Sequence, residues 1–252
     1  MYKHMAQLVG ILNVTPDSFS DGGLFVDPEA AVRHAGQLLG AGASLVDIGA
    51  ESTRPGAMPL SPEEEWRRLE PILERLMAAY PGKLSLDTYH PETAKRALAR
   101  SEIIINDVTG MNNPAMADVV ASYRARCIIS QMPDGNLKSV HDGKLISDIR
   151  VVADDLLAKA AMLEAKGLER ERIILDPGIG FGKTPELNRQ LLEFAQEISG
   201  YQVMIGYSRK RFLGDKRMEL ETNLAAGRIA IKAGAAFLRV HDVAGHWQLL
   251  KA

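Results

Sequence analysis

Short apolar runs recur along the chain and alternate with longer stretches whose apolar positions follow a helical period. Unbroken apolar runs of three to five residues are typical of strands that helices cover on both faces. Eight runs predict strands at residues 8–12, 44–47, 84–86, 103–105, 127–130, 173–175, 203–205 and 237–240. The alternation predicts an α/β fold, an eight-stranded parallel β/α (TIM) barrel.

Helix start signals support this alternation. Asp27 precedes Pro28 as an N-cap, and the apolar stripe that follows stops at Gly40. Ser61 and Glu64 have the spacing of a capping box, in which each side chain bonds the other residue's backbone N–H. Further helices are predicted at residues 91–99, 148–166, 184–198, 221–232 and 243–250. Since no low-complexity or linker-like tract divides the chain, we expect one domain over residues 1–252.

Polar side chains follow seven of the eight predicted strands. They are Asn13, Glu51, Ser52, Thr53, Arg54, Asp87, Asn106, Asp107, Asp176, Ser208, Arg209, Lys210, Arg239 and His241. In a parallel barrel all these strand ends face one rim, where the active sites of this architecture are built. The alternative is that polar residues simply cover strands entering loops. The number of strands involved favours a binding site.

Overall charge excludes some partners. The chain has 30 Lys and Arg against 32 Asp and Glu, so we expect neither nucleic acid nor an anionic membrane as a partner. The single cysteine, Cys127, lies in an apolar run and is expected to be a buried thiol. With no export signal or membrane span in its first residues, the protein is expected to be cytoplasmic. Six histidines without paired spacing and one cysteine predict no structural zinc site.

Three local patterns carry candidate chemistry. The glycine-rich stretch 178–184 departs from phosphate-loop spacing, since Pro177 and Lys183 stand where glycines are required, and by itself it predicts a strand-to-helix turn. The long polar stretch 13–23 contains Phe19 and two glycines and is typical of a lid. Arg239 lies within an apolar run, so it must meet an anion of the protein or of a ligand.

Seven stretches in order resemble the dihydropteroate synthases, the folate-pathway transferases that sulfonamides inhibit. They are NVTPDSFSDGG from Asn13, DIGAESTRPG from Asp47, SLDTYHPETA from Ser85, INDVTG from Ile105, LDPGIGFGK from Leu175, GYSRKRFLG from Gly206 and RVHDV from Arg239. The resemblance covers nearly the whole chain. It implies an eight-stranded barrel that joins 6-hydroxymethyl-7,8-dihydropterin diphosphate to p-aminobenzoate, releasing pyrophosphate, with Mg²⁺ as cofactor and a homodimer as the assembly.

The resemblance also implies roles for individual residues. The implied pterin site comprises Asp87, Asn106, Met132, Asp176, Gly206 and Lys210. The implied diphosphate site comprises Asn13, Thr53, Arg54, Arg239 and His241, with Asn13 as the magnesium ligand. The implied p-aminobenzoate pocket comprises Phe19, Pro55, Phe181, Lys210 and Arg211. Asp87, Lys210, Arg239 and His241 are the implied catalytic residues. Cations at one end and carboxylates at the other suit a reaction in which a diphosphate leaves a pterin methylene group.

Two positions depart from the family pattern. Arg211 stands where the family usually has serine, on the side expected to receive the p-aminobenzoate carboxylate. Gln131 stands where the family commonly has histidine. Three other functions therefore stay open: a divergent pterin-binding homologue without catalysis, a methyltetrahydrofolate-binding methyltransferase barrel, and a phosphate-binding isomerase or aldolase. The basic residues favour a diphosphate substrate over the second, and the position of Lys210 beyond its strand disfavours the third.

Overall fold

A computed structural model describes residues 6–14, 27–51, 59–133, 143 and 145–251. Its strands are β1 (Gln7–Asn13), β2 (Leu45–Gly49), β3 (Leu84–Asp87), β4 (Ile104–Asp107), β5 (Cys127–Ser130), β6 (Ile173–Asp176), β7 (Gln202–Ile205) and β8 (Phe237–Val240). Each pairs in parallel with its neighbours in sequence, and β8 pairs with β1 to close the barrel. All eight predicted strands and the predicted fold class are confirmed.

Helices follow the strands and surround the barrel. Within the described residues they are α1 (Pro28–Gly40), α2 (Pro62–Ala79), α3 (Pro91–Leu98), α4 (Pro114–Ser122), α5 (Ile149–Ala165), α6 (Pro185–Gln190), α7 (Leu220–Lys232) and α8 (Val243–Lys251). Asp27 caps α1 by accepting from Glu29 N at 2.9 Å. Ser61 caps α2 by accepting from Glu64 N at 3.2 Å. The Glu64 carboxylate accepts from Arg67 and Arg68, so only half of the predicted capping box is seen.

One helix was not predicted, and one predicted helix was too long. Helix α4 was not predicted, because its short sequence PAMADVVAS is apolar on several sides and has a weak helical stripe. The helix predicted at residues 184–198 ends at Gln190 and continues as the 3₁₀ segment Leu191–Gln196. No described helix is both long enough and apolar enough to cross a membrane.

The barrel interior changes from apolar to polar toward the carboxyl ends of the strands. Inward side chains recur every second residue of a strand. An apolar floor is formed by Val9, Leu45, Ile104, Ile128, Ile174, Met204 and Phe237. Two residues further along five of these strands stand Asp47, Asn106, Ser130, Asp176 and Arg239, and Gly206 takes the corresponding place directly after β7. The same alternation that fills the floor therefore carries polar groups to the rim above it.

Outward side chains of the strands pack against the helices. Leu8, Val46, Leu86, Ile129 and Leu238 belong to this larger buried cluster, together with residues from the inner faces of α1, α2 and α5. Cys127 is buried in it, as predicted, and burial raises the pKa of its thiol to about 12. A thiol in that state is a packing group and not a nucleophile.

Candidate active site

Three strands place charged side chains in contact across the barrel. Arg239, on β8, donates from Nε to Asp47 Oδ2 at 2.6 Å and from Nη2 to Asp87 Oδ2 at 2.8 Å. Asn106, on β4, donates from Nδ2 to the same Asp47 oxygen at 3.0 Å. The anion that Arg239 was predicted to need is thus provided by two carboxylates of the chain itself. We call Asp47, Asp87, Asn106 and Arg239 the carboxylate cluster.

Burial and neighbouring charges set the protonation of Asp87 and Arg239 in this cluster. Burial, with the nearby charges of Asp47, Glu65 and Asp107, raises the pKa of Asp87 to about 7, although Arg239 opposes the shift. Burial lowers the pKa of Arg239, but its two carboxylate partners raise it overall. Arg239 therefore stays charged while Asp87 titrates near neutral pH, which is typical of functional carboxyl groups.

Lys210 lies beside the cluster at the start of the 3₁₀ segment Arg211–Leu213. Its Nζ donates to the carbonyl of Ile179 and lies 5.1 Å from the centre of the Phe181 ring. Burial lowers its pKa to about 8, with Asp176 opposing the shift. A Cβ built on Gly206 would lie 3.9 Å from Lys210 Nζ and 3.6 Å from Asp176 Oδ2. Gly206 thus leaves the amine and the carboxylate accessible from the same space.

The loop after β6 is built by three glycines with positive φ, at positions 178, 180 and 182. Asp176 Oδ1 accepts from Gly178 N at 2.7 Å, and burial raises the pKa of the Asp176 carboxyl. Lys183 points inward from this loop and donates to the carbonyls of Gln131, Gly178 and Phe181 at 3.0–3.1 Å. The Lys183 amine is thus occupied by carbonyls of the protein. The loop is a strand-to-helix turn, as predicted from the glycine spacing.

An apolar wall borders the charged groups. Met132 and Val108 are buried together, and Tyr89 and Phe181 pack against them. Met132 and Phe181, which the resemblance assigns to different substrates, are thus neighbours. A flat apolar surface beside a ring of polar groups is a common feature of sites for heterocyclic ligands.

Other assigned residues lie around the rim. Asn13 ends β1, and its exposed side chain has no hydrogen-bond partner among the described residues. His241 follows β8, and its Nδ1 lies 2.9 Å from Ser208 Oγ. Arg211 is exposed, and no carboxylate in the described part of the chain pairs with it. Phe19, Thr53, Arg54 and Pro55, together with residues 15–23 of the predicted lid, lie outside the described residues.

An oxygen-preferring cation suits the position of Asn13. Mg²⁺ commonly takes one or two protein oxygens and completes its shell with water and ligand phosphates. An exposed amide oxygen at the rim, unengaged by any described residue, meets that requirement. The side chain therefore fits the role that the resemblance implies.

Sequence reasoning missed several members of the site. Asp47 was predicted as the last residue of the strand at 44–47 and was given no role at the site, although its charge within the apolar run LVDIG was a signal of the same kind as that of Arg239. Lys183 was considered only as a misplaced residue of a glycine motif. A further cluster joins Glu51, Glu65 and His90.

This second cluster lies at the start of the segment 52–58. Glu51 accepts from Tyr89 Oη at 2.6 Å and from Leu60 N at 3.3 Å, and it lies 3.6 Å from His90 Nε2. Burial lowers the pKa of His90, but Glu51 and Glu65 raise it overall. The cluster fastens the ends of β2 and β3 to each other.

Comparison with known proteins agrees with this geometry. Residues 9–241 match the family model described as "Pterin binding enzyme". A dihydropteroate synthase of Neisseria meningitidis serogroup C is 40% identical over 258 residues, covering 98% of this chain and 91% of that protein. The corresponding protein of Bacillus subtilis is 37% identical, covering 96% and 85%.

Solved structures show the same relationship. A Xanthomonas albilineans dihydropteroate synthase with 4-aminobenzoic acid superposes with a TM-score of 0.87 at 39% identity, covering 98% of this chain and 91% of that chain. The enzyme of the same organism in complex with 7,8-dihydropteroate gives a TM-score of 0.83 at 36% identity, covering 100% and 93%. The chain therefore belongs to the family of pterin binding enzymes that contains the dihydropteroate synthases.

Proposed function

We propose that the chain joins 6-hydroxymethyl-7,8-dihydropterin diphosphate to p-aminobenzoate, forming 7,8-dihydropteroate and pyrophosphate. The chain is a transferase of folate biosynthesis, like the relatives that it resembles over nearly its full length. The observation that carries the detailed assignment is the convergence of Asp87, Asn106, Asp176 and Lys210 on one space beside an apolar wall.

The pterin ring is recognised by this convergence. A pterin is a flat heterocycle whose pyrimidine edge carries N–H donors and a carbonyl acceptor. Carboxylates at Asp87 and Asp176 accept from donors, and the Lys210 ammonium donates to an acceptor. Met132 provides apolar contact for a ring face. Complementary edges of this kind fix both the position and the orientation of the ligand.

The diphosphate is directed away from the carboxylates. We propose that Asn13, Thr53, Arg54 and His241 contact it, with Arg239 between the two ends of the substrate. Arg239 already pairs with Asp47 and Asp87, so its role toward the diphosphate is carried by the remaining guanidinium N–H groups.

The proposed reaction separates charge, and the site stabilises both charges. Breaking the bond between the methylene carbon and the diphosphate oxygen places negative charge on the leaving group and positive charge on the pterin methylene. Asp87 stabilises the positive end and the basic residues the negative end. The amine of p-aminobenzoate then forms the new C–N bond and loses one proton to solvent. No covalent bond to the protein is required, and isolation of a pterin–protein adduct would contradict this step.

Asn13 would hold a magnesium ion, which would supply additional charge neutralisation at the leaving diphosphate. The residues assigned to p-aminobenzoate are Phe19, Pro55, Phe181, Lys210 and Arg211. Phe181 offers a ring face, and the exposed Arg211 offers a guanidinium to the carboxylate. Arg211 thereby replaces the serine that is usual in the family.

The test is pyrophosphate release by the purified protein with the pterin diphosphate and Mg²⁺, with and without p-aminobenzoate. We expect release that depends on p-aminobenzoate and yields 7,8-dihydropteroate. Pterin binding without turnover would instead identify a non-catalytic homologue. Tight binding of methyltetrahydrofolate, with no effect of p-aminobenzoate, would favour the methyltransferase barrel.

A further inference from the structure

Asp47 is a fully buried carboxylate at the centre of the carboxylate cluster. One of its oxygens, Oδ2, accepts from both Arg239 Nε and Asn106 Nδ2. An ion-paired carboxylate accepts hydrogen bonds and donates none. The contact with Asn106 is therefore favourable only when the amide nitrogen faces Asp47.

The opposite orientation of the Asn106 amide is disfavoured by charge. Turning the amide by 180° would place its oxygen about 3.0 Å from an acceptor oxygen of Asp47. Such a contact loses a charge-assisted hydrogen bond and adds repulsion between two acceptors in a buried place. The orientation of an amide follows from the network around it, and here the network permits one.

The fixed orientation of the Asn106 amide determines what its oxygen can bind. With its nitrogen held by Asp47, Asn106 presents Oδ1, which is buried and has no hydrogen-bond partner among the described residues. A buried carbonyl without a partner is costly unless a ligand completes it. Only an N–H or O–H group can do so.

We propose that Asp47 is a positioning residue that fixes Asn106 as a hydrogen-bond acceptor, and so makes the site select pterins that bring an N–H group to that position. The inference rests on the proposed pterin-binding function and deepens it. A site built to bond one N–H rejects an analogue that presents an acceptor there, because two acceptors are then left facing each other.

Binding of three probes tests the proposal. They are 6-hydroxymethyl-7,8-dihydropterin, its oxidised form, which lacks N8–H, and 6-hydroxymethyl-7,8-dihydrolumazine, in which oxygen replaces the 2-amino group. Kd is measured by titration calorimetry under anaerobic conditions. We expect the unmodified protein to bind the oxidised pterin, the dihydrolumazine or both at least tenfold more weakly than the dihydropterin. These two are the altered probes, since each lacks an N–H group that the dihydropterin carries. Equal affinities for all three would overturn the inference, and a complete absence of binding for all three would overturn the proposed function itself.

Asp47→Asn is the deciding variant. The amide that replaces the carboxylate tolerates a turned Asn106 side chain. The ratio of the Kd of the altered probe to the Kd of the dihydropterin should therefore fall at least threefold, because the altered probe gains relative affinity. A merely structural role of Asp47 would raise all three Kd values together and leave the ratios unchanged, and that result would overturn the proposal. Relative gain by one ligand cannot come from loss of folded protein.

Two further comparisons isolate the route through Asn106. In an Asn106→Ala background, adding Asp47→Asn should leave the ratios within twofold, since no amide remains to be oriented. A further change there would show that Asp47 acts by another path. Ser85 is the β3 neighbour of Asp47 in register, and its hydroxyl has no described partner. Ser85→Ala should leave the ratios unchanged, and an effect equal to that of Asp47→Asn would contradict the proposal.

Discussion

Gly178 approaches Gln131 so closely that a Cβ on Gly178 would lie 2.0 Å from the Gln131 carbonyl oxygen. Gly178 also has φ +63°, a conformation that side-chain-bearing residues rarely adopt. This crossing joins the loop after β6 to the end of β5, so it determines where Asp176 and Met132 stand relative to each other.

Gly178→Ala should therefore lower the free energy of unfolding by at least about 2 kcal/mol, since strain and a backbone clash add. It should also lower kcat/KM, because the loop after β6 and the end of β5 must move apart and so displace Asp176 relative to Met132. Gly82 has a similar φ of +71° with open space around it. Gly82→Ala should cost only about 1 kcal/mol of conformational strain and leave activity unchanged. Denaturant unfolding of both variants makes the comparison, and equal losses would contradict the clash.

Asp87→Asn should lower kcat/KM for the pterin diphosphate at least about 100-fold with little change in thermal stability. The variant keeps the side-chain volume and an oxygen for Arg239 Nη2, but it removes the charge that stabilises the pterin methylene. Steady-state kinetics and thermal unfolding measure the two effects. Asp118→Asn, which removes an exposed carboxylate paired with Lys166, is the matched control. Turnover near normal in Asp87→Asn would contradict the assignment.

Binding of a pterin without diphosphate should be strongest between about pH 7 and about pH 8. The pKa of Asp87 is raised to about 7, so its carboxylate is lost as the pH falls below that value. The pKa of Lys210 is lowered to about 8, so its ammonium is lost as the pH rises above that value. Affinity measured against pH for the free protein reports both groups.

Variants assign the two limbs of this profile. Asp87→Asn should remove the rise near pH 7, and Lys210→Met should remove the fall near pH 8. A profile of unchanged shape in both variants would show that other groups titrate.

Arg239→Met should lower the free energy of unfolding by about 3–5 kcal/mol at pH 8, because it leaves the buried carboxylates of Asp47 and Asp87 without their cation. The loss should be smaller at pH 5.5. Carboxylates without a cation have raised pKa values in the folded state, so the folded variant binds more protons and loses stability as the pH rises. Chemical denaturation at both pH values measures the difference.

The exposed Arg211 provides the control for this change. Arg211→Met should alter stability by no more than about 0.5 kcal/mol at either pH. An Arg239→Met loss that does not depend on pH would argue against carboxylate protonation as its cause.

Lys183→Met should lower the free energy of unfolding by about 2–4 kcal/mol, since three carbonyls lose their donor. It should also raise KM for p-aminobenzoate, because one of those carbonyls belongs to Phe181. Lys232→Met, on the exposed end of α7, is the control. An unchanged KM would separate Lys183 from the site.

The pH dependence of this variant has a defined sign. Burial lowers the pKa of Lys183 in the folded state to about 7, from an ordinary value of 10.5. Between these values the unfolded chain binds more protons, so the contribution of Lys183 to stability rises with pH. Its slope is at most about 1.4 kcal/mol per pH unit. A difference between unmodified and Lys183→Met proteins that shrinks from pH 7 to pH 9 would contradict the lowered pKa.

The fold could be predicted from the sequence because each strand carries its own apolar signal, and so could the rim, because parallel strands end together. Asp87, Asn106, Asp176 and Lys210 were found in this way. Asp47 was missed, since its partner Arg239 is 192 positions away and only barrel closure brings them together. The same holds for Lys183, whose inward direction depends on three positive φ values that glycines permit but do not require.

The apolar floor of the barrel determines how ligands enter and leave the site. Since Val9, Ile104 and Phe237 are packed below the carboxylate cluster, the described barrel has no passage at its amino end. In the described part of the barrel, a ligand above Asp47 therefore enters and leaves on the side of the carboxyl ends of the strands. A ligand bound directly above the floor therefore binds before, and leaves after, a second ligand that covers it. The second ligand blocks the release of the first.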